Sequence, residues 1–416
     1  MAIIRPFRAI RPVAEKAEKV AALPYDVMNS EEAREMVKDN PYSFLHIDKA
    51  EIDLDPSIDL YHEKVYQKAK QNMENMIKDG IMIQDEKPLF YIYCLTMNGK
   101  TQTGLVVCTS IDEYLDNTIK KHELTRADKE ADRIRHVDTL NANTGPIFLA
   151  YHNNKQIKSI LHTIMEKQKA VYDFISEDGI GHKVWLISDE KDISELIVLF
   201  EKIPNLYIAD GHHRNASAVK VGLKRRQNKP NYTGEEEFNY YLSVLFSDDE
   251  LYVMDYNRVV KDLNGLTEKE FLKKIEQKFE IELYQKEGCC RPKQRHQFGM
   301  YLDKKWYLLT AKNDIIQKDI VAALDVSILQ NEVLEPILAI GDPRTDKRID
   351  FIGGIRGLEA LQQKVDSGDM KIAFSMYPTS MEELMSVADE NRTMPPKSTW
   401  FEPKLRSGLF IHDLEK

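Results

Sequence analysis

The chain has 416 residues, 42% of them hydrophobic and 30% charged, with a formal charge of −10. At about 150 residues per domain, this length predicts two or three domains with a sizeable core. The balance excludes collagen-like, coiled-coil and wholly disordered chains, and the acidic surface disfavours a nucleic-acid partner.

The longest apolar runs, 89–95 and 196–200, fall far below the ~20 residues of a spanning helix, so no membrane partner is expected. The opening residues, Met1 to Pro6, contain no apolar export segment. Four cysteines, Cys94, Cys108, Cys289 and Cys290, form no CxxC pair. Together these features predict a cytoplasmic protein with reduced thiols. Nothing in the residues sets an oligomeric state.

In chain order, two prolines among residues 5–12 argue against a helix there. Asn29 or Ser30, ahead of Glu31-Glu32, predicts a capped helix over 31–38. A longer amphipathic helix follows over 58–79, ended by Gly80. Runs 89–95 and 104–109 flank Asn98-Gly99, a hairpin signal. Strands are expected at 147–151, 182–187 and 206–209, and helices at 157–171, 190–202 and 215–227. Residues 240–246 and 251–254 read as a strand pair around Ser247-Asp248-Asp249-Glu250.

Further on, a helix and strand cover 267–283, and a hairpin joins 299–302 to 306–310. Helices near 320–338, at 357–367 and at 381–391 bracket a strand at 372–376. No repeat of 20–50 residues occurs, which excludes a solenoid. The alternation predicts an α/β or α+β fold with mixed sheets. The expected division is 1–260 for a catalytic region and 261–416 for a C-terminal α/β region, whose tail loop contributes to the site.

The sharpest chemical signal is Asp210-Gly211-His212-His213-Arg214, between an apolar strand and a helix. A helix N-terminus presents unpaired N–H groups and a positive dipole end, and so suits an anion. Gly211 permits close backbone approach, and Arg214 suits a phosphate. The alternatives are plain N-capping histidines or a metal held by the His pair, but adjacent residues seldom ligate one ion together.

This box resembles the phosphate-binding turn of the ParB/sulfiredoxin superfamily. Its Asp-Gly-His-x-Arg form is similar to that of the free-serine kinases. The whole chain resembles the family catalogued as domain of unknown function 1015. That likeness is carried by Arg5-Pro6-Phe7-Arg8-Ala9, Pro24-Tyr25-Asp26-Val27, His122-Glu123-Leu124-Thr125, Asp132-Arg133, the box, Met394-Pro395-Pro396-Lys397-Ser398-Thr399, and Phe401 with Pro403-Lys404. The resemblance implies a ParB/sulfiredoxin-like phosphate-binding core. It also implies a phosphotransferase that makes O-phospho-L-serine from free L-serine, with ATP, ADP or pyrophosphate as donor.

Phosphoryl transfer needs an anion cradle, cationic or metal charge over the phosphate, and a group that orients the hydroxyl. Gly211, His212, His213 and Arg214 are the expected cradle. Asp26 or Glu123 would orient the acceptor, with Asp210 and His213 as further catalytic candidates. Mg²⁺ is expected, with Asp210 either ligating it or fixing the histidines. Arg8, Thr125, Arg133, Lys397, Ser398 and Thr399 are the expected substrate contacts. The stretch 122–136 also reads as a charged helix held by i,i+4 pairs, and the Pro-rich tail as a structural strap. Rival readings are a ParB-type nucleotide-binding regulator and a non-catalytic phosphate sensor. A sulfiredoxin-type enzyme would need a cysteine where His212 and His213 stand.

Overall fold

The computed structural model describes residues 1–415. The chain forms two compact units: Met1–Leu251, rejoined from Pro403 onward, and Tyr252–Glu402. The end of the tail, grouped by sequence with the C-terminal region, thus belongs to the first unit. There His412–Asp413 pairs antiparallel with Ala142–Asn143. No described helix is long and apolar enough to cross a membrane.

The first unit is built on a nine-stranded mixed sheet. Its strands are β1 (Ile4–Arg5), β2 (Phe90–Met97), β3 (Lys100–Ser110), β4 (Ile119–Lys120), β5 (Ile147–Tyr151), β6 (Tyr172–Ile175), β7 (Gly181–Ile187), β8 (Leu206–Asp210) and β9 (Tyr240–Ser247). Their order is β4-β8-β5-β9-β3-β2-β7-β6, with β1 beside β3. The β4–β8 and β5–β9 pairs are parallel and the others antiparallel. The helices that bear on the site or the core are α1 (Glu63–Lys78), α2 (Ala127–Leu140), α3 (Lys155–Lys167), α4 (Glu190–Phe200) and α5 (His212–Asn228).

Local chemistry explains several boundaries. Asn29 caps the helix Ser30–Val37 through a reciprocal capping box with Glu32. The β2–β3 hairpin turns on Asn98 and Gly99, both at positive φ, which matches the twist of the two strands. Leu105, Leu149, Leu196, Ile208, Tyr241 and Leu245 share one buried core cluster. Each of these aliphatic side chains contributes roughly 1.5–3 kcal/mol by leaving water.

The chain departs from its local sequence pattern at two places. Tyr252–Met254 does not pair with β9 but runs antiparallel to Trp400–Glu402. The acidic turn Asp248–Glu250 instead faces Asn153 and Lys158, which draw its carboxylates away from a hairpin geometry. The charged helix expected from 122 starts only at Ala127, leaving His122, Glu123 and Thr125 in the preceding loop.

The second unit holds an antiparallel six-stranded sheet of β10 (Tyr256–Val260), β11 (Phe279–Leu283), β12 (Gln297–Leu302), β13 (Lys305–Ala311), β14 (Ile349–Gly353) and β15 (Ile372–Met376). Its order is β11-β13-β12-β15-β10-β14.

Candidate active site

The site starts from a break in strand register. Along β8, Ile208 stands opposite Leu149 and Asp210 opposite Phe148, so Ala209 is an extra residue in the pairing with β5. Such a bulge re-aims the side chains that follow it. Gly211 then takes φ +91°, a left-handed conformation that L side chains rarely adopt. The chain turns at once into α5, whose first bond runs from the Asn215 N–H to the Gly211 carbonyl at 2.9 Å. The helix therefore opens at His212, three residues ahead of the expected start. His212, His213 and Arg214 fill its first turn, where N–H groups have no acceptor within the helix.

Asp210 lies beside two cations. Its Oδ2 is 3.4 Å from Arg214 Nη2 and 3.6 Å from Lys404 Nζ. Burial works against the charged carboxylate, but Lys404 first and Arg214 next hold its pKa down, to about 2. Arg214 also donates through Nη1 to the Pro146 carbonyl at 2.6 Å. These bonds orient its guanidinium across the helix start, where a Cβ on Gly211 would lie 3.2 Å from Nε. The sequence offers Asp210 either as a Mg²⁺ ligand or as the group that fixes the histidines. Here two cations already balance its charge, which suits a role in fixing Arg214.

A buried imidazole from the preceding loop, His122, stands against the buried His212 of the box. The His122 and His212 rings meet edge to face with centroids 4.5 Å apart. His212 Nδ1 is 3.8 Å from Glu123 Oε2. Neither ring nitrogen of His122, nor Nε2 of His212, has a well-formed hydrogen bond. Burial holds His122 neutral, with its pKa pushed down to about 4 against the opposing pull of Asp210 and the Ile208 backbone. His212 is pushed well below the usual histidine range, first by burial and then by His122.

His213 is positioned differently. Its Nε2 accepts the Arg126 N–H at 3.0 Å, so this nitrogen is unprotonated. Burial lowers its pKa, and Asp26 acts in the opposite sense. The structure thus brings Asp26, exposed on the short turn Tyr25–Val27, within electrostatic reach of the box. Thr125 Oγ1 donates to Glu130 Oε2 at 2.9 Å. Glu130 also pairs with Lys220, and Ser217 Oγ donates to the His213 carbonyl at 2.7 Å. These contacts fasten the loop before α2 to the first turns of α5.

Arg214 also lines a cleft with Tyr25, Asp48, Arg133, His136 and Thr144. Arg133 is buried, bonds Asp132 Oδ2 through Nε at 2.9 Å and lies 4.0 Å over the Tyr25 ring. Tyr66 donates to the other Asp132 oxygen at 2.8 Å. Asp48 accepts from Thr144 Oγ1 at 3.0 Å. The cleft therefore presents two guanidinium groups and one carboxylate.

Arg8, Lys397 and Ser398 have partners of their own within their units. Arg8 belongs to a cluster around Asp85 and donates through Nε to its carbonyl at 3.0 Å. Lys397, Ser398 and Thr399 are in the second unit. There Arg258 Nη2 donates to the Lys397 carbonyl at 3.0 Å, and Ser398 Oγ donates to the Pro395 carbonyl at 2.6 Å. Sequence reasoning gave no role to Lys404 or Asp48. Lys404 stood inside the quoted Phe401, Pro403-Lys404 motif, but no local signal tied it to Asp210.

The chain belongs to the family described as Protein of unknown function (DUF1015), whose model matches residues 4–327. No curated protein matches it. Among solved structures it is similar to a free serine kinase variant in complex with AMP, at 14% identity and a TM-score of 0.39, covering 74% of this chain and 92% of that one. It is also similar to a conserved hypothetical protein from Pyrococcus furiosus, at 15% identity and a TM-score of 0.36, covering 74% and 94%. A third is SbnI with a C-terminal truncation from Staphylococcus aureus, at 9% identity and a TM-score of 0.38, covering 71% and 82%.

Proposed function

We propose that the protein is a small-molecule kinase that phosphorylates the hydroxyl of free L-serine, with ATP, ADP or pyrophosphate as donor. The observation that carries this reading is the start of α5. A left-handed Gly211 opens a helix whose first turn is His212-His213-Arg214, with Arg214 held by Asp210 and shared with a cleft. Unpaired N–H groups, a dipole end and a guanidinium converge there, as a phosphate requires.

The cleft supplies the acceptor side. An amino acid is a zwitterion, so Arg133 would take its carboxylate and Asp48 its ammonium group. The hydroxyl would then be oriented by Asp26 or Glu123, which accepts its proton as oxygen attacks phosphorus. Thr125 would hold the loop that carries Glu123 against Glu130. Lys404 and Asp210 would set Arg214 for the donor phosphates. Mg²⁺ supplied with the donor would neutralise phosphate charge. Serine as acceptor rests on the likeness of the Asp-Gly-His-x-Arg box to that of the free-serine kinases. Roles for Arg8, Lys397, Ser398 and Thr399 are the outermost part of the proposal.

The test is to incubate purified protein with Mg²⁺ and L-serine, adding ATP, ADP or pyrophosphate separately, and to follow O-phosphoserine by mass spectrometry. Product with one donor supports the reading and names the phosphoryl source. No product with any donor removes it.

A further inference from the structure

Buried polar nitrogens are almost always hydrogen-bonded, because an unpaired one costs roughly 1–3 kcal/mol. Three nitrogens without a well-formed hydrogen bond lie together here: both of His122, one of them drawn toward the Ile208 backbone, and Nε2 of His212. The two residues are 2% and 6% exposed, so bulk water does not satisfy them. Their rings touch edge to face, and Glu123 lies beside them. One ligand atom from each of His122, Glu123 and His212 falls within 4.8 Å of the other two.

The chemistry of this set selects its occupant. A phosphate would seek cations and N–H donors, yet the third member is a carboxylate. Two neutral imidazoles and one carboxylate offer lone pairs, which is a donor set for a cation. We propose that His122, Glu123 and His212 form a site for a divalent first-row transition ion. Imidazole nitrogen favours such ions over Mg²⁺, which prefers oxygen and keeps its waters. Ligand atoms around a four-coordinate ion sit about 3.4 Å apart, so binding draws the three groups inward by on the order of 1 Å. The Glu123 side chain is 42% exposed, which leaves a side open for water or a substrate oxygen.

The site differs from the expected Mg²⁺ position at Asp210, whose carboxylate is shared by Lys404 and Arg214. It also gives the His212 ring a task separate from the backbone cradle. Either property can hold without the other, because the test contains neither serine nor a phosphoryl donor.

The experiment is titration of chelator-treated full-length protein with Co²⁺, Zn²⁺ and Mg²⁺, read by calorimetry, the visible spectrum of bound Co²⁺ and the thermal midpoint. The expected result is one Co²⁺ or Zn²⁺ per chain, bound far more tightly than Mg²⁺, with a raised midpoint. His122→Ala should weaken binding at least about 100-fold, since loss of even an outer-shell partner costs 10–100-fold. Removing a buried ring can cost the fold, so Glu123→Gln is the second variant, with circular dichroism as the folding check. It should lose the metal-dependent rise in midpoint while keeping the metal-free one. Binding no tighter than that of Mg²⁺, or unchanged affinity in both variants, overturns the inference. Metal binding without serine phosphorylation keeps it and sinks the kinase reading. Phosphorylation without a tight Co²⁺ or Zn²⁺ site does the reverse.

Discussion

Lys404 places its Nζ 3.6 Å from Asp210 Oδ2, joining the returning C-terminal segment to the strand that ends in the Asp210–Arg214 box. This ion pair and the Arg214 pair share one carboxylate oxygen. Asp210 is thereby held ionised and Arg214 is held in place, so both depend on a residue far along the chain.

The first prediction follows from that sharing. The folded-state pKa of Asp210 is depressed, from 3.8 to about 2. Its contribution to stability is therefore complete above about pH 4 and is lost as pH falls toward 2. Lys404→Met removes the largest favourable partner and should move that loss to higher pH. Urea midpoints measured across the acid range check this. Identical acid profiles for variant and parent would show that Lys404 does not hold Asp210.

Arg214 tests the cradle. Arg214→Ala should lower kcat/KM for serine phosphorylation by about 100- to 1,000-fold, the usual cost of losing one donor to developing charge. Arg214→Lys should recover little of this, because an ammonium cannot span Asp210, the Pro146 carbonyl and a phosphate together. Steady-state kinetics with circular dichroism as the folding control decide the matter, and near-parental rates in both variants would mean the phosphate lies elsewhere.

Gly211 carries a backbone requirement. At φ +91°, and with Arg214 Nε 3.2 Å from where a Cβ would stand, Gly211→Ala should destabilise the first unit by about 1–3 kcal/mol. It should also weaken donor binding, because the same φ directs the first N–H groups of α5. Chemical denaturation and nucleotide titration measure the two effects, and a variant as stable as the parent would contradict the strained-turn account.

If the cleft beside Arg133 and Asp48 takes the acceptor, as proposed, its residues should act on one substrate alone. Asp48→Asn should raise the KM for L-serine while leaving the KM for the donor near its parental value. Arg133→Lys should act in the same direction, because lysine cannot both bond Asp132 and stack on Tyr25. A change confined to the donor KM would place the acceptor outside this cleft.

Glu113 offers a test of stability against pH, away from the site. Its carboxyl is 3% exposed, and burial pushes its pKa up to about 7, while the Ile3 N–H, donating at 2.8 Å, pulls the other way. A raised folded-state pKa favours the fold at low pH, and that advantage is lost as pH rises through about 7. Glu113→Gln should therefore stabilise the chain at pH 8 relative to the parent, with a smaller difference at pH 5. Midpoints that shift equally at both pH values would rule out a protonated Glu113.

Features set by a few neighbouring residues were legible in the sequence. Asn29 caps its helix because its side chain reaches N–H groups two and three residues on. Asn98-Gly99 turns a hairpin because both accept positive φ. The Asp210–Arg214 box could be read as a strand-to-helix anion turn because the apolar run, the glycine and the basic residues are contiguous. Even there, local propensity placed the helix start at Asn215, whereas the left-handed Gly211 starts it at His212 and so puts three side chains into the first turn. Tertiary structure alone decided what surrounds the box. Packing of the loop before α2 against α5 set His122 and Glu123 beside His212. The return of the tail brought Lys404 to Asp210, and long-range strand choice paired 252–254 with 400–402. Such contacts depend on which surfaces bury together across the chain, and that free energy has no counterpart in the spacing of nearby residues.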